Sequence, residues 1–147
     1  MPSILTATDR DALLTRAARL TPEAAPRFGT MSATKAVRHL IESLEQALGE
    51  KPAKPAFFLF RLAHRLLLGR ILYRPWPSMK PKPGYVAEPV DAAAWAADTA
   101  RLAELLTRFS QAPETWPDHP FLGRLSGEQW GVFLHRHTDH HLGQFGV

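Results

Sequence analysis

Apolar residues recur at helical spacing through most of this chain, and prolines punctuate the pattern. Leu13, Leu14, Ala17 and Leu20 form a stripe that predicts a first helix over about Asp9 to Leu20, with Thr8 as its N-cap and Thr21-Pro22 as its stop. A second stripe, Val37, Leu40, Ile41, Leu44 and Leu48, predicts a helix opened by Ser32 and closed before Gly49. Lys35 stands where a capping box would place Glu or Gln. The Lys- and Pro-rich stretch from Glu50 to Pro55 reads as a spacer. It leads into a strongly apolar helix over Phe57 to Tyr73 that carries Arg61, His64, Arg65 and Arg70.

Five prolines between Pro75 and Pro89 forbid regular helix or central strand there and require an extended connection. Asp91 then caps an amphipathic helix to about Phe109, with Trp95, Thr99, Leu102, Leu105 and Leu106 at its spacing. A Pro-rich loop from Ala112 to Gly123 contains His119-Pro120-Phe121. Ser126, three residues before Gln129, marks the capping box of a last helix. No segment alternates with a period of two long enough to make a strand. The expected class is all-α, four main helices plus one inserted apolar helix, in one domain over residues 1–147.

With 147 residues and no cysteine, the chain can bury a core without disulfides, and thiolate metal sites and cysteine nucleophiles are excluded. The start, Met1 to Thr6, lacks the basic residues and apolar run of a signal peptide, so a cytoplasmic protein is expected. The net charge of +4 is spread along the chain, apart from eight lysines and arginines between Lys51 and Lys82. No RNA-binding motif accompanies them, and nucleic acid is not expected as a partner.

The chemistry concentrates at the end. Four of the seven histidines, His135, His137, His140 and His141, fall in the last thirteen residues. On a helix advancing about 100° per residue, Trp130, Phe133, Leu134, His137, His141, Gln144 and Phe145 share a face, while His135, Arg136 and Asp139 point elsewhere. His137 and His141, four apart, place two imidazoles one turn from each other. Facing a core, they strand ring nitrogens unless a metal ion or hydrogen-bond partners satisfy them. His140 sits at the edge of that face.

A third ligand has to come from another helix, and His39 is the candidate. It lies opposite its own helix's apolar stripe, beside Ala36, Ser43 and Gln46, a pattern that fits a small polar cavity or a solvent-facing helix equally. Glu42, one turn from His39, and Gln144, one turn from His141, are within reach of the imidazoles. His119 reads as a loop anchor, His64 and His135 as solvated surface, and Trp95, Trp130, Phe133 and Phe145 as core.

The run His137-Thr138-Asp139-His140-His141-Leu142-Gly143-Gln144 resembles the H-x-x-H-H-x-x-Q signature in the last helix of DinB-like proteins. Together with His119-Pro120-Phe121-Leu122-Gly123, Glu128-Gln129-Trp130-Gly131 and the closing Gln144-Phe145-Gly146-Val147, it is similar to the DUF1569 branch of that superfamily. Met31 to Leu40 is similar to the second-helix segment that carries a ligand histidine there. The resemblance implies a four-helix bundle with a long crossover between its second and third helices. It also implies a divalent metal held by His39, His137 and His141. Zinc or nickel is expected foremost, and the positions of His140, Gln144, Glu42 and Ser43 on the two helices make them the expected pocket residues.

Relatives in the superfamily use bacillithiol, mycothiol or glutathione as metal-dependent thiol S-transferases or isomerases. The implied activity is therefore a metal-dependent hydrolase or thiol S-transferase acting on a small molecule. The competing reading is a non-enzymatic dimeric bundle with a vestigial metal site. The helix over Phe57 to Tyr73 departs from the family pattern and is expected to cover the pocket or to make an interface. A homodimer is the expected use, with attachment to a membrane surface as the alternative.

Overall fold

The structure, a computed structural model, describes residues 1–76 and 89–147. Most of the predicted Pro75 to Pro89 connection lies outside the described residues. Among those described, every regular element is a helix: α1 (Ala7–Ala17), α2 (Ala33–Ala47), α3 (Phe58–Leu66), α4 (Leu68–Tyr73), α5 (Ala92–Arg108) and α6 (Gly127–Gln144).

The caps read from side-chain chemistry are in place. Ser32 Oγ accepts from the Lys35 amide at 3.3 Å, and Asp91 Oδ1 accepts from the amides of Ala93 and Ala94 at 2.9 and 3.2 Å. Ser126 and Gln129 form the full capping box. Each answers amides that the first helical turn leaves without partners.

Two boundaries differ from expectation. α1 starts earlier, with Thr6 at the N-cap position and no side-chain cap, and Thr8 lies inside the helix. The first turn is held by tertiary contacts instead, since Asp9 Oδ2 accepts from the Ser3 amide at 3.0 Å and Ile4 donates to the Gly131 carbonyl at 3.1 Å. α1 ends at Ala17, and Leu20 reaches the core through tight turns in which Arg19 and Leu20 bond back to Arg16 and Ala17.

The inserted helix is also two helices rather than one. Leu67, at φ −93° and ψ 3°, breaks the run, and its amide is shared between the carbonyls of Ala63 and His64. The reason is packing. α3 buries no residue, whereas α4 contacts α6 and buries Leu72 completely, so the chain bends at Leu67 to deliver Leu72 to the core.

The four long helices touch in a closed ring, α1 to α6 to α2 to α5 and back to α1. Leu13, Leu40, Leu44, Leu102, Leu105, Leu106, Phe109, Trp130, Leu134 and Leu142 fill its centre. Arg38 to Asp98 at 2.7 Å and Arg101 to Glu45 at 3.0 Å tie α2 to α5 on the outside. α6 is buried beyond the single face drawn from its wheel: Val132 and Thr138 are buried too, because the N-terminal segment packs on its far side at Gly131. Among the described residues, no helix is long and apolar enough to cross a membrane.

Candidate metal centre

α2 and α6 run against each other, and their apolar stripes set what lies beside the seam. With Val37, Leu40 and Leu44 turned into the core, His39 and Ser43 fall toward α6. The two surroundings left open for His39 coexist: it lines a polar cavity beside α6 and stays exposed to solvent. His137 is 8% exposed, His141 is half-buried, and His39 is the most open of the three.

His39 Nε2 and His137 Nε2 lie 2.9 Å apart, and the three imidazoles offer one nitrogen each within 4.8 Å of one another. Ligands about 2.0–2.1 Å from a common ion are about 3.0–3.4 Å apart. The His39–His137 pair already has that spacing, whereas the widest separation in the trio exceeds it, so the rings would have to draw together to share one ion. The 2.9 Å pair also serves as an N–H···N hydrogen bond between the two rings.

The outer nitrogens are held. Gln144 Nε2 donates to the Phe28 carbonyl at 2.8 Å, which orients the amide and leaves Oε1 facing His141 Nδ1 at 3.2 Å. An amide oxygen only accepts, so His141 carries its proton on Nδ1 and keeps a lone pair on Nε2. His137 Nδ1 meets Ser43 Oγ at 3.2 Å. This is how metal-ligating histidines are oriented in general.

Gly29 makes room for the arrangement. Its φ of +74° lies in the left-handed region, and a Cβ there would stand 2.7 Å from Gln144 Nε2.

Burial keeps the cluster uncharged. Desolvation foremost, then the neighbouring His141, His39, His140 and His119, hold the His137 pKa well below the ordinary value. His141 is pulled down to about 4 by desolvation, against the Gln144 hydrogen bond that favours its protonated form. Desolvation also lowers His39, opposed by the charge of Glu42. Neutral imidazoles are the state that binds divalent ions.

The remaining predicted residues have distinct places. Glu42 lines the cavity beside His39, and its carboxylate pairs with Lys51 at 2.9 Å rather than with a ring nitrogen. His140 lies outside the trio and packs its ring between Phe28 and Trp76, at centroid distances of 5.2 and 5.4 Å. His119 anchors its own loop: Nδ1 accepts from the amides of Phe121 and Leu122 at 3.2 and 3.1 Å, and its backbone pairs with Gly123 in both directions. His64 and His135 are half-buried rather than solvated, His64 against Phe60 and Phe121. Trp130, Phe133 and Phe145 are core, and Trp95 is partly buried at its margin.

A cavity of about 410 Å³ opens beside the histidines. His39, His137, Ser43 and Gln46 form its polar side, and Trp76, Phe121 and Phe133 its aromatic side. Trp76 is the residue that sequence reasoning missed. Its indole donates to the Ile71 carbonyl at 2.7 Å and sets the ring 5.9 Å from that of His137. An aromatic between Pro75 and Pro77 was the one signal for it. α3 is absent from the lining, so the expected cover over the pocket comes from Ala53, Lys54, Trp76 and Pro120-Phe121 instead. A wider depression near Leu48, Glu104 and Arg108 has no histidine in its wall.

Nothing among curated proteins matches the chain, and no solved structure does. Residues 2–146 match the family described as protein of unknown function DUF1569, and the chain belongs to that family.

Proposed function

We propose that this is a divalent-metal-binding protein of the DinB-like superfamily, in which His39, His137 and His141 hold zinc or nickel and the adjacent cavity takes a small molecule. The observation that carries it is the convergence of three neutral imidazoles from α2 and α6, with Gln144 fixing the tautomer of His141. The closed ring of helix contacts supports reading the fold as a four-helix bundle with α3 and α4 inserted in its crossover. Three histidine ligands leave coordination positions open, as catalytic rather than structural sites do.

A bound ion of this kind lowers the pKa of a coordinated thiol or water, which suits a thiol S-transferase or a hydrolase. The protein's own part is to orient the rings through Ser43 and Gln144, and to present Gln46 and the walls of Trp76 and Phe133 to the organic part of a substrate.

The second reading is a vestigial site satisfied by the His39 to His137 contact alone, which the 2.9 Å separation favours. Metal analysis of untagged protein separates the two. About one equivalent per chain is expected, lost in His137→Ala and in His141→Ala; occupancy that stays far below one after metal supplementation overturns the proposal.

A further inference from the structure

α3 is built inside out. Stepping about 100° per residue, Phe58, Leu62, Leu66, Leu59, Ala63 and Phe60 occupy one broad arc, and His64, Arg61 and Arg65 the narrow remainder. In a soluble bundle the apolar arc faces the core. Here the polar arc faces the protein: Arg61 pairs with Asp118 at 2.8 Å, and Arg65 donates to the Arg124 carbonyl at 2.7 Å. The apolar arc faces out, with Phe58 65%, Leu62 56% and Leu66 80% exposed.

Phe57, Leu59, Phe60, Leu67, Tyr73 and Phe121 are also exposed by half or more. At roughly 200 Å² for a large side chain, the seven between Phe57 and Leu67 together expose on the order of 800 Å², above the roughly 300–600 Å² of the largest patch on an ordinary monomer.

Charge decides what covers it. Between Lys51 and Ala87 the chain has eight lysines and arginines and no aspartate or glutamate. Lys54, Arg70 and Arg74 are exposed, with no acidic partner among the described residues. Two copies meeting through this segment would supply no acidic partner for these cations, since the segment has none of its own. An anionic lipid surface pairs with the cations and takes up the aromatic and leucine side chains at the same time.

We infer that the α3–α4 segment docks this protein on anionic membrane surfaces, with the apolar arc of α3 in the headgroup region and Arg70, Arg74 and Lys54 on the lipid phosphates. The segment lies in the interface without spanning it. Phe121, whose ring meets that of His64 on α3, and the exposed Lys54 both line the cavity, so docking sets the cavity mouth beside the lipid.

Flotation of the untagged full chain with phosphatidylcholine vesicles, with and without about 30% phosphatidylserine, tests this. Binding to the anionic vesicles is expected to be roughly tenfold or more tighter than to the neutral ones, and to weaken as salt is raised. Phe58→Asp/Leu62→Asp is expected to abolish flotation, and Arg70→Glu/Arg74→Glu to remove the preference for anionic vesicles. All four positions are exposed, so circular dichroism and metal content should match wild type, which keeps this test separate from that of the metal site. A chain that fails to float overturns the inference. So does a dimer in light scattering that Phe58→Asp/Leu62→Asp converts to monomer, which would assign the patch to a second copy.

Discussion

The side-chain oxygen of Gln144 lies 3.2 Å from Nδ1 of His141, and the Phe28 carbonyl at 2.8 Å from Gln144 Nε2 holds the amide in that orientation. Gln144 thus sets which nitrogen of His141 is free to meet an ion in the proposed site. Removing such a partner costs about 10–100-fold in metal affinity in comparable sites. Gln144→Ala should weaken zinc binding by that factor in a chelator competition while the helix content is kept. Affinity within twofold of wild type would show that the contact does not orient the ring.

Gly29 should prove indispensable to the same chain of contacts. Gly29→Ala combines a left-handed backbone with a Cβ 2.7 Å from Gln144 Nε2. The backbone alone costs about 1–2 kcal/mol, and displacing the amide adds loss of metal affinity. A melting temperature lower by roughly 2–8 °C is expected, together with the Gln144→Ala binding defect. Unchanged affinity would mean that Gln144 moves aside without consequence.

His39 and His137 should separate in their effect on stability. His137 is buried against Ser43 and His39, whereas His39 is the more open ring. In chelator, His39→Ala should melt close to wild type and His137→Ala lower. Zinc at about a hundredfold over its dissociation constant should stabilise wild type by about 2.7 kcal/mol and neither variant. Equal zinc stabilisation of His39→Ala would remove His39 from the site.

Acid should destabilise the metal-free protein partly through His119. Burial lowers its pKa to about 4 in the folded chain, against an unfolded value of 6.5. Above the unfolded value the ring is neutral in both states and contributes no pH dependence. As pH falls below it, the unfolded chain takes up the proton first, so stability drops until the folded pKa is passed, by up to about 1.4 kcal/mol per pH unit for one proton. His119→Asn keeps an acceptor for the amides of Phe121 and Leu122 but does not titrate. Denaturant midpoints in chelator from neutral pH down to about pH 4.5 should fall less steeply for this variant; parallel curves would refute the assignment.

Arg10 is buried among carbonyls rather than carboxylates. Its guanidinium donates to Ile4 at 3.2 Å, Leu5 at 3.5 Å and Phe109 at 3.4 Å, joining the N-terminal segment to the end of α5. A cation there also complements the negative end of the helix. Arg10→Met strands those carbonyls and should cost about 2–3 kcal/mol, read as a lower urea midpoint at unchanged slope. A loss below about 0.5 kcal/mol would mean that water replaces the guanidinium.

What the sequence by itself determined is what local chemistry governs. Ser32, Asp91 and Ser126 cap their helices as side-chain hydrogen bonding requires, and the four-residue spacing of His137 and His141 put both on one face, one turn apart, before any fold was known. Tertiary structure decided where packing outweighs local preference. Thr8 lost the α1 cap to contacts between the N-terminal segment and α6, and the apolar run after Phe57 broke at Leu67 so that Leu72 could be buried. The pattern around His39 was equally consistent with solvent and with a cavity, because a helix face says nothing about what packs beside it. Only the approach of α2 to α6 brought His39 to His137, and only the turn at Gly29 brought Phe28 to Gln144, since residues about a hundred positions apart meet through the fold and not through spacing.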